Sequence, residues 1–326
     1  MLAGFEIGGT KIVCALGPDP LTHTHRATLP TTTPEAVLPA MLAFLAQVGG
    51  VQAGLAQAGF AQAGFAQAGG AQGGGRLRGI GIGSFGPLSL APDAPDFGAI
   101  LATPKPGWAG ANLRQALARA TGLPVGIDTD VNAAGLAEAR FGAGQGLPSL
   151  AYVTIGTGIG GGFIRDGAPW HGLTHPEIGH IPLRRHALDA FPGNCPFHAD
   201  CLEGLASGKA LTARHGRRLA DLPPSDPLWA IAADYLGQLC ASLALTWCPH
   251  RIVLGGGVPA DNPALLPPIR AATRHWLGDY LAHPAWGSAI ATTLVPPALG
   301  TAAGIVGALI LAEAASQAAA ASAGNP

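Results

Sequence analysis

Phe5-Glu-Ile-Gly8-Gly9-Thr10-Lys11-Ile-Val-Cys-Ala-Leu16 reads as two short apolar runs joined by a glycine turn. Runs of this length with a tight Gly-containing connection predict a β-hairpin. Glycine lets a backbone come close to a ligand, and successive amide N–H groups can cup an anion. Thr10 adds a hydroxyl donor and Lys11 a positive charge. Outward from this hairpin the chain alternates. Pro34 to Val48 reads as a helix, Arg78 to Ile82 as a strand and Leu113 to Thr121 as a helix. Val125 to Ile127 reads as a strand, Val131 to Phe141 as a helix and Leu150 to Ile155 as a strand. A long helix is expected from Asp226 to Trp247, then a strand from Arg251 to Leu254. That alternation predicts an α/β architecture, and at this length two lobes are expected, with ligands held at strand ends.

Two more strands run into glycines, giving Gly156-Thr157-Gly158 and Gly255-Gly256-Gly257. A tight corner alone accounts for any one of these turns. Three of them, with a carboxylate between, favour a nucleotide bound between two lobes. Gly81-x-Gly83-x-x-Gly86 and Gly156-x-Gly158-x-x-Gly161 match the spacing of a dinucleotide fingerprint, but that fingerprint needs a helix straight after the glycines. Pro87 follows the first, and a returning strand follows the second. The carboxylate is in Asp128-Thr129-Asp130-Val131-Asn132, at a strand end just before a helix. Phosphoryl transfer to an alcohol needs a base for the hydroxyl proton and donors for the phosphates. Asp130 is the candidate base. On spacing alone, capping of the following helix by Asp128 or Asp130 is the simpler role, and the base role stays open beside it.

His180 and the run Cys195-Pro-Phe-His198-Ala-Asp-Cys201-Leu-Glu203 hold four nitrogen and sulfur ligands. Cys-x2-His-x2-Cys with a histidine upstream is enough to close a tetrahedral zinc site. Without a metal, His180 and His198 are ordinary surface or partly buried histidines. Glu177 and Glu203 flank the ligands, and carboxylates and imidazole are suitable partners for sugar hydroxyls.

Composition excludes several classes. The net charge is -1 with 11% charged residues and no basic block, which gives no electrostatic capture of nucleic acid or anionic lipid. With 48% hydrophobic residues the chain has the material for a core. The N-terminus lacks the pattern of a signal peptide. Ala302 to Ala312 is apolar, yet reads as too short and too rich in small residues for a membrane span, and as a helix packed closely against something. Of the five cysteines, Cys14, Cys240 and Cys248 lie in apolar contexts and are expected to be buried free thiols in a reducing cytoplasm. Residues 49–75 repeat Ala-Gln-Ala-Gly-Phe, and are expected to be a solvent-exposed, poorly ordered and dispensable insertion.

These strings together resemble the ROK sugar kinases of bacteria, and within them the zinc-containing fructokinases. The resemblance covers nearly all of the chain except 49–75. It rests on Glu6 to Ala15, Gly83 to Leu88, Thr103-Pro-Lys-Pro-Gly-Trp108 and Asp128 to Ala134. It continues through Thr154 to Gly160, His171-Gly-Leu-Thr-His-Pro-Glu-Ile-Gly-His180 and Cys195 to Gly208. It implies an actin-like ATPase fold of two RNase H-like lobes with a nucleotide and sugar cleft between them. The small lobe would be 1–127 and the large lobe 128–299, with the last helix, within 300–326, packed back on the first. ATP with magnesium would place its phosphates against Gly8, Gly9, Thr10 and Lys11 and against Gly156, Thr157 and Gly158. Adenosine would lie near Gly255, Gly256 and Gly257. Asp130 would take the proton from the 6-hydroxyl of D-fructose, and Asn132, Glu177, His180 and Glu203 would orient the sugar. Structural zinc on His180, Cys195, His198 and Cys201 would fix the loop carrying Glu177 and Glu203. A cytoplasmic homodimer is implied, with no membrane or nucleic-acid partner.

The chain departs from the broad family at Glu6, where Asp is usual, in the Cys-x2-His pair, and at Thr129, where Asn is usual. The last two point toward the fructose branch. A hexokinase preferring mannose or glucose is the alternative within enzymes. The family's sugar-responsive DNA-binding repressors carry a helix-turn-helix ahead of the first phosphate turn. Only five residues precede Glu6 here, so a kinase is expected.

Overall fold

The computed structural model describes residues 1–46, 75–223 and 225–323. The repeat at 49–75 lies outside the described residues apart from Gly75. In chain order the elements are β1 (Leu2–Ile7), β2 (Lys11–Gly17), β3 (His25–Pro30), α1 (Pro34–Leu45), β4 (Gly79–Ser84), α2 (Leu113–Thr121), β5 (Val125–Thr129) and α3 (Asp130–Phe141). Then come β6 (Ser149–Ile155), β7 (Ile159–Arg165), β8 (Ala168–Pro169), α4 (Leu202–Ala206), α5 (Gly208–His215) and α6 (Pro227–Thr246). The chain ends with β9 (Arg251–Gly255), α7 (Gly257–Asp261), α8 (Leu266–Leu277), β10 (Leu294–Val295) and α9 (Ala303–Ala323).

The chain forms two compact units. The first holds Met1–Ala137, His171–His175 and the segment from Ala302 onward; the second holds Glu138–Trp170 and Pro176–Thr301. The division falls inside α3, past the expected break at 127, so Asp130 belongs to the first unit.

Each unit is built on a five-stranded mixed sheet, ordered β3-β2-β1-β4-β5 in the first and β10-β9-β6-β7-β8 in the second. In the first, β1 pairs antiparallel with β2 and parallel with β4. In the second, β6 pairs antiparallel with β7 and parallel with β9. The two sheets therefore repeat one plan: a meander of three antiparallel strands, extended by two parallel ones. The Gly8–Lys11 turn and the Gly156–Gly158 turn occupy equivalent places, between the first two strands of each plan. This is the two-sheet architecture that the actin-like resemblance implies.

Sequence reasons for the elements are local. Asn112 caps α2 by accepting the Gln115 N–H, and Gly122 ends it at φ 67°. Asp226 caps α6 on the Leu228 N–H, with Pro227 at the first helical position. The core of the second unit gathers around α6, where Tyr235 and Leu236 are fully buried. That of the first gathers around β1, β4 and α1, with Trp108 fully buried.

The last helix falls within the expected 300–326 and runs well past the apolar stretch that ends at Ala312. Alanine continues past Glu313, and its high helix propensity carries α9 to Ala323. By length and composition α6 and the α9 region are apolar enough to cross a membrane, which corrects the reading of the late run as too short. In the structure, 72% of the apolar window of α6 and 50% of that of α9 are buried inside the protein. The buried half of α9 lies on β1, β4 and β5. A Cβ on Gly81 would lie 1.8 Å from the Ala308 carbonyl oxygen, and one on Gly126 would lie 2.5 Å from that of Leu311. Only bare backbone allows the helix this near the sheet. Cys14 and Cys240 are buried free thiols as expected, but Cys248 is exposed, because α6 ends before it and its backbone turns at φ 48°.

Candidate functional site

The first unit presents the Gly8–Lys11 turn and Asp130. Inside the turn the Gly8 N–H donates to the Lys11 carbonyl at 3.0 Å. The turn's carbonyls are all held from behind. Thr31 Oγ1 donates to the Gly8 oxygen at 2.8 Å, Lys105 Nζ to that of Gly9 at 2.6 Å, and the Thr31 N–H to that of Thr10 at 3.0 Å. The amides of Gly9 and Thr10 have no partner among the described residues. The turn is therefore polarised, with donors left free for an anion.

Asp130 is the first residue of α3, and its Oδ1 accepts the Val131 N–H at 2.9 Å. The cap role falls to Thr129, whose hydroxyl accepts the Asn132 N–H at 3.1 Å. Asp130 thus does not cap the helix through the Asn132 N–H, and its Oδ1 bonds only the adjacent Val131 N–H among the described residues. Removal from water pushes its carboxyl up to about 6, against the pull of backbone N–H groups. Glu6 is pushed up to about 7, first by burial and then by the charge of Asp130, with Lys11 and Arg26 opposing. Its carboxyl lies where a Cβ on Gly304 would sit, within 2.3 Å.

Asn132 lies beside Asp128. It is fully buried, and its Nδ2 donates to Asp128 Oδ1 at 2.7 Å. The physical reason is its place three residues after the cap, on the inward face of α3. Its Oδ1 is buried with no hydrogen-bond partner among the described residues. Asp128, itself buried, also takes the Thr129 N–H at 2.7 Å and pairs with His171 Nε2 at 3.1 Å. That bond raises the His171 pKa. His175 Nε2 accepts the Leu88 N–H at 2.9 Å. Two histidines thus fasten the 171–175 segment to the first unit. Sequence reasoning placed neither of them in the site; the His-x3-His spacing within the 171–180 string was the available signal.

In the second unit, His180, Cys195, His198 and Cys201 converge, with all four ligand atoms within 4.8 Å of one another. His180 Nδ1 lies 3.7 Å from Cys195 Sγ and 3.5 Å from Cys201 Sγ, and His198 Nδ1 lies 3.8 Å from Cys195 Sγ. A tetrahedral zinc with ordinary bond lengths separates N and S ligands by about 3.6 Å. The donor set and its spacing fit the ion. A knuckle presents the ligands: Cys195 and Ala199 exchange N–H to carbonyl bonds at 3.1 and 3.0 Å. Ala199 adopts φ 55°, and bare backbone at Gly193 and Gly204 lies over its carbonyl. His180 closes a short helical turn that starts after Glu177, whose side chain is exposed.

Glu203 follows Cys201 by two residues, and its Oε2 accepts the Ile159 N–H at 2.9 Å, beside the Gly156–Gly158 turn. That turn is closed by Gly156 N–H to the Gly158 carbonyl at 2.9 Å, with Thr157 exposed at its tip. The Gly208 N–H, at the start of α5, donates to the Gly156 carbonyl at 2.8 Å. Gly256, at φ 91°, lies against the backbone of Ile155, where a Cβ would approach to 2.4 Å. The second unit therefore gathers the 156–158 turn and the 255–257 turn around one strand end. Glu138 was missed by sequence reasoning. Fully buried, it accepts N–H groups from Ala143, Ala298 and Leu299 at 2.7, 3.0 and 2.8 Å.

Comparison with known proteins agrees with this arrangement. Residues 2–315 match the pattern of the ROK family. The chain is 39% identical over 313 residues to a fructokinase of Zymomonas mobilis, covering 95% of each. It is 36% identical over 315 residues to a fructokinase of Pediococcus pentosaceus, covering 97% of this chain and 98% of the relative. A ROK family glucokinase from Streptomyces griseus, solved in complex with glucose and AMPPNP, superposes with a TM-score of 0.70 at 27% identity, over 96% of this chain and 99% of that one.

Proposed function

The chain belongs to the ROK family, and from that premise we propose that it transfers the terminal phosphoryl group of ATP to the 6-hydroxyl of D-fructose. The observation that carries the reading is Asp130. It sits at the N-terminus of α3, relieved of capping by Thr129, with a carboxyl pushed up to about 6. Such a group is ionised at neutral pH yet basic enough to accept a hydroxyl proton as the oxygen begins to bond. The fructose O6 gives its proton to Asp130 and bonds to the γ-phosphorus. The bond from that phosphorus to the bridging oxygen breaks, and ADP leaves with the electron pair.

The amides of Gly9 and Thr10, with the Thr10 hydroxyl and Lys11, bind phosphate oxygens in this reading. The Gly156–Gly158 turn is the second phosphate contact, and Gly255–Gly257 receives adenosine. Glu177, His180 and Glu203 orient the sugar. Asn132, from inside, holds Asp128 and so keeps the β5–α3 turn in shape. His180, Cys195, His198 and Cys201 would hold zinc, which supplies a cross-link for the loop between Glu177 and Glu203. Magnesium bound to ATP would supply neutralisation of phosphate charge.

Fructose rather than glucose or mannose is supported by the names of the two fructokinase relatives and by the Cys-x2-His ligand pair. The test is a panel of hexoses with ATP, following ADP release and locating phosphate on the product by NMR. Fructose should be the preferred acceptor, phosphorylated at O6. The absence of hexose-dependent ADP release would refute the activity, and a preference for glucose or mannose would refute the specificity.

A further inference from the structure

Lys105 lies in the Thr103–Trp108 string, far in sequence from the Gly8–Lys11 turn, and the proposed chemistry gives it no role. Its Nζ donates to the Gly9 carbonyl at 2.6 Å. The contact is supported from below. The ammonium lies 6.0 Å from the centre of the Phe85 ring and 5.9 Å from that of Trp108. Those rings meet edge to face at 5.1 Å. Trp108 is fully buried, with Nε1 bonded to the Thr32 carbonyl at 2.7 Å, and the Phe85 N–H is bonded to the Ile7 carbonyl at 2.8 Å. The Lys105 backbone N–H reaches Thr103 Oγ1 at 3.3 Å. The lysine is therefore held on an aromatic shelf with its charge behind one peptide.

That peptide is Gly9–Thr10. Its oxygen accepts from a full positive charge, and its N–H, on Thr10, has no partner among the described residues. Hydrogen bonds in a chain polarise one another. A cation on the carbonyl side draws electron density toward the oxygen and makes the N–H a stronger donor. It also fixes the peptide plane, so that the donor cannot rotate away. Of the three donors behind the turn, Lys105 alone is charged; the other two are the hydroxyl and amide of Thr31.

We propose that Lys105 is a positioning residue for nucleotide phosphate, acting through the Gly9–Thr10 peptide rather than by touching the phosphate. The proposal rests on the kinase reading of the turn. Removing the charge weakens ATP binding and leaves the sugar alone.

The experiment compares the full chain with Lys105→Met, which keeps the stem on the aromatic shelf, and Lys105→Arg, which keeps the charge. Mg–ATP affinity is measured by calorimetry without sugar, and KM for ATP and for fructose by ADP release. Lys105→Met should weaken Mg–ATP binding about tenfold, the scale of one charge-assisted hydrogen bond. KM for fructose should stay within about twofold and the melting temperature within about 2 °C, because a charge near the surface contributes little to folding. Lys105→Arg should recover affinity to within about threefold of wild type. Unchanged ATP affinity in Lys105→Met would overturn the proposal. So would a loss shared by ATP, fructose and thermal stability, or one that arginine fails to restore. A wild type that binds Mg–ATP but phosphorylates no hexose would sink the kinase reading, and calorimetry would still decide the role of Lys105. A wild type that binds no Mg–ATP would sink both.

Discussion

Gly307→Ala should destabilise the first unit, although helix propensity argues the opposite. Gly307 lies within α9, and alanine in a helix interior is favoured over glycine by ~1 kcal/mol. Its surroundings reverse the sign. A Cβ there would lie 1.8 Å from the carbonyl oxygen of Ala133 and 2.2 Å from its carbonyl carbon. Both are backbone atoms of α3, so no side chain can swing aside. Ordinary contact needs at least 3.4 Å, so the two helices must part by roughly 1.6 Å. Overpacking of a tight core costs ~1–3 kcal/mol and sometimes more, and a clash of backbone with Cβ belongs at the upper end. The net loss is ~2 kcal/mol, which lowers the melting temperature by roughly 4–8 °C. α3 begins at Asp130, so turnover should fall as well. Gly257→Ala is the control, since a Cβ there meets nothing nearer than Asp261 at 3.9 Å. Thermal unfolding followed by circular dichroism measures both. A Gly307→Ala protein that melts at or above wild type would refute the claim that bare backbone at 307 sets the spacing of these helices.

Further outcomes concern Asp130, the metal ligands and Glu138. Asp130 must be ionised to accept a proton, and its pKa is raised to about 6; kcat/KM should therefore fall about tenfold per pH unit below that value and level off above it. Asp130→Asn should remove turnover while leaving fructose binding, so near-normal rates in that variant would take the base role away from Asp130. Purified protein should carry about one zinc per chain by elemental analysis. Stripping it should raise KM for fructose more than KM for ATP, through the loop that carries Glu177 and Glu203; absence of zinc after gentle purification would refute the ligand set. Glu138→Ala should cost ~3 kcal/mol or more, since three buried amides lose their acceptor, and thermal melting would register this as a fall of roughly 6 °C or more.

Much of the fold was legible because its determinants are local. The Leu113–Thr121 helix emerges with the expected ends since Asn112 and Gly122 are adjacent to them. The metal knuckle was legible for the same reason: three ligands lie within seven consecutive residues, and the fourth is only fifteen positions upstream. The late run read as too short for a span because its apolar stretch stops at Ala312, whereas Ala-rich sequence carries no stop signal and helix propensity takes α9 on to Ala323.

What stayed hidden was long-range polar pairing. Glu138 reads as an ordinary charged residue on a helix, and its partners at 298 and 299 are 160 and 161 residues away. The sugar role of Asn132 came from the family resemblance, and Asn132 follows the candidate base by two residues. On a helix that offset turns a side chain far round the axis, and here it carries Asn132 inward to Asp128 while Asp130 remains partly exposed. Motif spacing identifies which residues share a turn of helix, but the facing element decides which of them meets a ligand. In the β5–α3 turn that element is the 171–175 segment. His171 takes Asp128 into a salt bridge, leaving Asp130 free of a side-chain partner among the described residues. Two acids two residues apart are thereby set in different surroundings, one tied into the scaffold and the other, on the proposed kinase reading, the group that would exchange a proton.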